Sequence, residues 1–196
     1  MSQTASLPPS SSVDCPRRAV LRGAAGVVLA WLTPIRAFAA QEDVGPPPAA
    51  GDLLVRVGDD ALIPLSPDDV PFDGRGVTVW AIGPADSAAK TGQLNKILLA
   101  RLNPANMSEY TRNHAADDIV AYSAVCTHAG CDVDEGLGGN ESIFCSCHGS
   151  SFDARNGGGV IGGPANGRLA ALPLKSDGGR LVVAGPFTSK PGFGPG

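Results

Sequence analysis

The sequence predicts an all-β protein built from antiparallel sheets. Glycine and proline are frequent, with 26 and 17 among 196 residues, and aromatic residues make up only 5%. This composition favours short strands and many turns over long helices. The apolar content of 43% is sufficient for a core, and the length suits one domain with extensions.

Short apolar segments, several of them rich in β-branched residues, are the predicted strands. Residues 177–179, Asp-Gly-Gly, predict a hairpin turn near the end of the chain. Residues 104–118 are polar, and we expect them to form an excursion on the surface. The predicted strands are residues 53–57, 77–82, 97–102, 119–123, 142–144, 168–174 and 180–183.

The stretch from Cys126 to Asp153 carries the chemistry of the chain. It contains four of the five cysteines and two of the three histidines. It begins as Cys-Thr-His-Ala-Gly-Cys at residues 126–131. After a glycine-rich interval it continues as Cys-Ser-Cys-His-Gly-Ser-Ser-Phe-Asp at residues 145–153. A predicted strand leads directly into each of these two loops.

The spacing places one thiolate and one imidazole on each loop. One residue separates Cys126 from His128, and two residues separate Cys145 from His148. Two thiolates and two imidazoles suit tetrahedral zinc. They also suit a [2Fe–2S] cluster in which two histidines replace two cysteines on one iron.

Each loop also carries a second cysteine, Cys131 in the first and Cys147 in the second. A disulfide between them could join the loops. A zinc site would account for four ligands but not for these additional cysteines. A secreted domain held only by disulfides would account for the cysteines but not for the histidines beside them.

The two-part pattern resembles the Rieske iron–sulfur family. CTHxGC followed by CxCHGSxFD is a long signature, and the resemblance extends over about residues 53–183. It implies the Rieske fold of antiparallel sheets, with a small cluster-binding subdomain at about residues 123–165 and one [2Fe–2S] cluster as cofactor. It further implies that Cys126 and Cys145 bind the buried iron, that His128 and His148 bind the outer iron, and that Cys131 and Cys147 form a disulfide.

The resemblance also assigns residues around the cluster. Gly163 and Pro164 correspond to a loop that covers the cluster, and Ser150 corresponds to a hydrogen-bond donor to a cluster sulfide. Phe152 stands where relatives in cytochrome bc complexes carry a tyrosine whose hydroxyl bonds to a ligand sulfur. Ala129 stands where a leucine usually shields the cluster. These two differences bear on the potential and on quinol docking, respectively.

The first 39 residues resemble an export signal of the twin-arginine type. Arg17 and Arg18 precede an apolar run at 23–35, and Ala-Phe-Ala at 37–39 offers a cleavage site. The run has 13 residues, short of the roughly 20 needed to span a membrane, and a short retained anchor is the alternative. The predicted order is therefore this signal or anchor at 1–39, a linker at 40–52, the Rieske domain at 53–188 and a flexible tail at 189–196.

The expected function is one-electron transfer. A cluster with neutral imidazole ligands carries less negative charge than an all-thiolate cluster, so it is easier to reduce; Rieske potentials lie at about −150 to +300 mV. The sequence offers no nucleophile or general base. We therefore expect an electron-transfer subunit of an exported or membrane-associated oxidoreductase complex, similar to the Rieske subunit of arsenite oxidase. The alternative is the quinol-oxidising Rieske subunit of a cytochrome bc complex.

The expected partners are a larger catalytic subunit or a cytochrome b. A c-type cytochrome is a candidate acceptor, and quinol is a candidate donor. Cleavage after residue 39 would remove four arginines and one aspartate and change the net charge from −4 to −7. Such a surface favours basic protein partners and argues against nucleic acid. The expected location is the periplasm, with attachment to the inner membrane if the N-terminal segment is kept.

Overall fold

The computed structural model describes residues 45–72 and 74–193. The predicted signal at 1–39, the first part of the linker and the end of the tail lie outside these residues. The described part of the chain forms ten strands, one short α-helix and five 3₁₀ turns. All named strand pairs in it are antiparallel, which confirms the predicted fold class.

The elements are numbered in chain order. The strands are β1 Leu53–Arg56, β2 Val77–Ile82, β3 Ile97–Arg101, β4 Ile119–Ser123, β5 Leu137–Gly138, β6 Ser142–Cys145, β7 Ser150–Asp153, β8 Gly159–Gly162, β9 Leu174–Asp177 and β10 Arg180–Val183. The helix α1 is Glu109–His114, and the 3₁₀ turns are Pro67–Asp69, Gln93–Asn95, Pro104–Asn106, Gly139–Glu141 and Ala154–Asn156.

The strands form two sheets. The larger has six strands in the order β4-β3-β2-β1-β10-β9, and the smaller has four in the order β5-β6-β7-β8. The smaller sheet lies entirely between residues 137 and 162, so it is inserted in the chain between two strands of the larger sheet. The first proposed ligand loop precedes this insertion, and the second lies within it, between β6 and β7.

Neighbouring residues of β3 contribute to two different cores. Ile97 and Leu99 pack in the first core, whereas Leu98 and Ala100 pack in the second. Because side chains alternate between the faces of a strand, β3 is covered on both faces. This explains why its sequence is a continuous apolar run and does not alternate with polar residues.

The second core positions the candidate site. It contains Ile143 and Phe152, which are paired across β6 and β7 and are fully buried. Cys126 and Cys145 belong to the same core, as does Tyr122 from β4. The Tyr122 hydroxyl donates to the carbonyl of Ala154 at 2.8 Å and so connects the larger sheet to the end of β7.

The strands predicted at 77–82, 119–123 and 180–183 are observed with the same bounds. The hairpin turn is also present, since Gly178 and Gly179 have φ of +58° and +75° between β9 and β10. Both positive values are the requirement of a two-residue type I′ turn.

Two of the segments that the sequence prediction assigned have a different structure, and β5, β7 and β8 were not predicted. Residues 168–173 are mainly irregular, because only Ala171 forms a bridge, to Tyr122, and β9 begins at Leu174. Within the polar segment 104–118 a six-residue helix forms, since the Ser108 hydroxyl accepts a hydrogen bond from the Thr111 N–H at 3.2 Å and caps it.

Candidate metal centre

The two loops that carry cysteine and histidine have the same backbone hydrogen bond and the same glycine conformation. In the first, the N–H of Gly130 donates to the carbonyl of Cys126 at 3.0 Å. In the second, the N–H of Gly149 donates to the carbonyl of Cys145 at 3.0 Å. Both glycines have φ of +77°, a left-handed conformation that side chains disfavour. Each loop therefore turns back within five residues and presents its cysteine and histidine from one turn.

The larger sheet and the smaller sheet each supply one loop. The first loop follows β4 and is closed by a hydrogen bond from the N–H of Cys126 to the carbonyl of Cys131 at 2.7 Å. The second is the tip of the β6–β7 hairpin, where Cys145 pairs with Ser150. The arrangement depends on the tertiary structure, because it joins loops from different sheets.

The four cysteines of the two loops separate into two pairs. Cys126 and Cys145 are free thiols, and both are buried. Cys131 and Cys147 form a disulfide with a Cα–Cα distance of 6.6 Å. This bond joins the first loop directly to the second.

The two histidines of these loops are in contact. The ring centroids of His128 and His148 are 4.8 Å apart, in an edge-to-face arrangement. His148 is exposed, whereas Nδ1 of His128 is buried without a hydrogen-bond partner among residues 45–72 and 74–193. A buried ring nitrogen with no partner is unfavourable unless another group satisfies it, and a metal ion can do so.

Among the described residues, one cluster of possible ligand atoms is not suited to hold a metal ion. The sulfur atoms of Cys131 and Cys147 and a ring nitrogen of His148 lie within 4.8 Å of one another. Both sulfurs are engaged in the disulfide, so neither is available as a thiolate. The free cysteines are therefore the better sulfur ligands.

The environment of the Cys145 thiol disfavours negative charge. Burial raises the pKa of the Cys145 thiol above its ordinary value, and the neighbouring Cys126 raises it further. The backbone N–H of Cys147 opposes these effects. Two adjacent buried thiolates therefore need compensation by a cation, which iron ions would supply.

A third loop, which contains Gly163, Pro164 and Ala165, lies against the second. An added Cβ at Gly163 would lie 2.4 Å from the carbonyl oxygen of Gly149 and 2.5 Å from Cα of Ser150. The N–H of Ala165 donates to the hydroxyl of Ser150 at 3.2 Å. Because Ser150 accepts this bond, its own hydroxyl hydrogen can be donated to another group. Pro164 is exposed between these two contacts.

Thr127 joins the first loop to the end of the third. Its hydroxyl donates to the carbonyl of Gly167 at 2.6 Å, and the residue is buried. The sequence analysis did not single out this residue, although it lies within the motif. Its partner is 40 residues away, and no local pattern indicates that partner.

Phe152 is fully buried in β7, opposite Ile143. It packs in the second core, which also contains the two free cysteines. A phenyl ring offers no hydrogen-bond donor, so any donation to a sulfur in this region must come from other groups.

The groups present fit a [2Fe–2S] cluster with mixed ligands. Two buried free cysteines and two histidines in ring contact provide the two sulfur and two nitrogen donors that such a cluster requires. Within the described part of the chain, Nδ1 of His128 has no hydrogen-bond partner, and this is independent evidence for a ligand at the site.

The comparisons with known proteins agree with this chemistry. Residues 99–173 match the family model for the Rieske [2Fe-2S] domain. The chain is similar to the cytochrome bc1 complex Rieske iron-sulfur subunit of Streptomyces coelicolor, at 30% identity over 172 residues, which are 80% of this chain and 47% of that protein. It is also similar to the subunit of the same description from Corynebacterium glutamicum, at 35% identity over 102 residues, or 49% and 25% of the two chains.

A further relative is the putative respiratory nitrate reductase subunit Rieske of Haloferax mediterranei, with 43% identity over 75 residues, which are 38% of this chain and 33% of that protein. The chain thus spans between a quarter and a half of the length of these relatives. Among solved structures, the cyanobacterial plasma membrane Rieske protein of Synechocystis matches with a TM-score of 0.40 and 22% identity, covering 60% of this chain and 93% of that one.

The chain therefore carries a Rieske [2Fe–2S] domain, matched over residues 99–173. A Rieske domain binds one [2Fe–2S] cluster, so the predicted cofactor is confirmed. None of the helices formed by residues 45–72 and 74–193 has the length and apolar character needed to cross a membrane.

Proposed function

We propose that this chain is the Rieske electron-transfer subunit of an exported or membrane-associated oxidoreductase complex. One electron at a time would pass through a histidine-ligated cluster. The observation that carries this proposal is that two disulfide-linked loops of a Rieske domain bear two buried free cysteines and two histidines in ring contact.

The proposed ligand roles follow the burial of the side chains. Cys126 and Cys145, both buried, would bind the inner iron, and His128 and His148 would bind the outer iron. When bound, the cluster supplies a one-electron couple, and neutral imidazole ligands favour its reduction. Because His148 is the exposed member of the set, a redox partner would approach on the histidine side.

The surroundings of the site would hold these ligands in place. Gly163 brings the third loop against the second, and the hydroxyl of Ser150 is available to donate toward the cluster. Pro164 would shield the cluster from solvent. The disulfide between Cys131 and Cys147 limits the separation of the two ligand loops.

The proposal includes a larger assembly. The relatives named above are subunits of cytochrome bc1 complexes and, in one case, of a putative nitrate reductase. We propose a larger catalytic subunit or a cytochrome b as partner, and a c-type cytochrome as acceptor. Residues 1–39 would direct export to the periplasm or attach the chain to the inner membrane, residues 40–52 would form the linker, and residues 53–188 would form the domain.

The first experiment tests the cluster. Purified protein should contain two irons per chain and show a Rieske-type EPR signal on reduction. His148→Ala should abolish the signal, whereas His114→Ala should preserve it. His114 is a matched control because it lies in α1, where its Nδ1 is 2.7 Å from the carbonyl oxygen of Tyr110. A colourless protein with one zinc would contradict the proposal.

The second experiment tests the assembly and the location. The tagged full chain should be purified from membranes and from periplasm of the native host, and its N-terminus should be sequenced. Co-purification of a redox subunit supports the proposal, and a chain that begins at residue 40 supports cleavage. A cluster-bearing chain found only in cytoplasm, with no redox subunit, would contradict it.

A second candidate function is quinol oxidation in a cytochrome bc complex. The relatives from Streptomyces coelicolor and Corynebacterium glutamicum, both described as bc1 subunits, favour it. In this case the purified complex should contain a cytochrome b. Added quinol should reduce the [2Fe–2S] cluster within one turnover, and the Rieske EPR signal should then appear. Reduction only by the substrate of another catalytic subunit would favour the first candidate.

A further inference from the structure

Asp132, directly after the disulfide cysteine of the first loop, is held by two side chains. Gln93 Nε2 donates to its Oδ1 at 2.7 Å, and Lys96 Nζ donates to its Oδ2 at 2.6 Å. Gln93 Nε2 also lies 3.3 Å from the carbonyl oxygen of Gly130, within the loop itself. The Asp132 side chain is half exposed, so its fixed position results from these contacts and not from burial.

The main chain of Asp132 reaches the other side of the site. Its carbonyl oxygen lies 3.5 Å from Sγ of Cys145, one of the two free cysteines. Asp132 also forms a bridge with Val125, immediately before the first loop. A displacement of Asp132 would therefore affect both ligand loops.

The turn that contains Gln93 and precedes Lys96 is itself held by hydrogen bonds. Gln93 is the first residue of the 3₁₀ turn before β3, and Lys96 directly follows this turn. The buried Asn95 in this turn donates through Nδ2 to the carbonyl of Thr91 at 3.2 Å and to the carbonyl of Gly45 at 3.0 Å. The turn therefore connects the start of the described chain to the first ligand loop.

We propose that Asp132 is a positioning residue for the first ligand loop, and that its carboxylate and the Lys96 ammonium shift the reduction of the cluster in opposite directions. This inference rests on the proposed function. Gln93 and Lys96 hold the carboxylate, and the main chain of Asp132 keeps the first loop against Cys145.

The charges of Lys96 and Asp132 predict the direction in which each side chain shifts the midpoint potential. Reduction adds one negative charge to the cluster, so the Lys96 ammonium favours the reduced state and the Asp132 carboxylate disfavours it. Together the two charges largely cancel. Because a half-exposed ion pair contributes little to the free energy of unfolding, the midpoint potential is the more sensitive readout.

The decisive experiment compares Lys96→Met with Asp132→Asn in the cluster-loaded protein by protein-film voltammetry. Lys96→Met leaves the carboxylate unbalanced, so the potential should fall. Asp132→Asn leaves the ammonium unbalanced and keeps an oxygen for Gln93, so the potential should rise. Each change should be at most about tenfold in the reduction equilibrium, which is 59 mV for a one-electron couple.

Two further variants serve as controls for the charge. Lys96→Arg keeps the positive charge and should keep the wild-type potential. Lys175→Met removes a lysine that also pairs with an aspartate, Asp177, at 3.5 Å. This pair lies in β9, at the opposite edge of the six-stranded sheet from β4, so the potential should not change.

The positioning role is tested with Gln93→Leu, which removes hydrogen bonds without changing charge. The EPR spectrum should broaden, and the cluster should be lost faster in a chelator, while the potential changes less than in the charge variants. Unchanged potentials in both charge variants, or shifts of the same sign, would overturn the inference. Absence of a cluster from the wild-type chain would instead overturn the proposed function.

Discussion

Gly163 offers the sharpest test of how the third loop meets the second. Its φ is +78°, and an added Cβ would lie 2.4 Å from the carbonyl oxygen of Gly149. Real Cβ atoms do not approach closer than about 3.0 Å, so Gly163→Ala would require a displacement of at least 0.6 Å. The neighbouring groups are backbone atoms of the two residues directly after His148, and they cannot rotate away.

The expected magnitude has two parts. A left-handed conformation costs an alanine about 1–2 kcal/mol, and overpacking of this kind costs about 1–3 kcal/mol. The free energy of unfolding of the Gly163→Ala protein should therefore fall by about 2–5 kcal/mol. The variant should also lose its cluster faster, because the displaced loop no longer covers the second ligand loop.

Gly179→Ala is the matched control. Gly179 has φ of +75°, and an added Cβ would meet no atom within 4 Å. The free energy of unfolding of the Gly179→Ala protein should therefore fall only by the cost of the left-handed conformation, about 1–2 kcal/mol. The assay is urea denaturation of the cluster-loaded proteins, followed by visible absorbance and far-UV circular dichroism. Equal losses of stability and equal rates of cluster release in the two variants would refute the close approach of Gly163 to Gly149.

Other predictions concern the sulfur environment and the second core. Phe152→Tyr should raise the midpoint potential and Ser150→Ala should lower it, by less than the full 1.5–3 kcal/mol of a charged hydrogen bond; voltammetry measures both, and a lowered potential in Phe152→Tyr would contradict the placement of the ring. Cys131→Ser should remove about 3 kcal/mol of stability and release the cluster faster, and mass mapping that finds both thiols free in native protein would exclude the disulfide. Burial raises the pKa of Tyr122, so the contribution of this residue to the free energy of unfolding should be constant below about pH 10 and fall above it, where the unfolded tyrosine ionises first. Tyr122→Phe should reduce this alkaline loss but cost about 0.5–1.5 kcal/mol at neutral pH through the bond to Ala154, as denaturation at several pH values will show.

The sequence determined the local elements and the chemistry of the donors. Strands β2, β4 and β10 have the predicted bounds, because each is a short apolar run bounded by turn residues. The motif placed cysteine and histidine within a few residues of each other, so the donor types could be inferred from spacing alone. The paired positive φ values in the Gly178-Gly179 turn follow from composition in the same way.

Strands β7 and β8 were not predicted from the sequence. Their residues, Ser-Ser-Phe-Asp and Gly-Val-Ile-Gly, combine the strand formers Phe, Val and Ile with aspartate and glycine, which are depleted in strands, so neither segment gives a clear strand pattern. They form strands because the β6–β7–β8 pairing buries Phe152 against the second core. The helix α1 likewise depends on distant partners, since the hydroxyl of Thr111 donates to the carbonyl of Arg155 at 2.7 Å.

Only the tertiary structure decided how the ligand loops are held together. The approach of Gly163 to Gly149, the bond from Thr127 to Gly167 and the hold of Lys96 on Asp132 join residues 14 to 40 positions apart. Hydrophobic periodicity and turn chemistry act over a few residues, so they specify each loop but not its neighbour. The packing of the two sheets around the second core brings the loops together. This packing therefore places the cysteines and histidines of the two loops in one region of the structure.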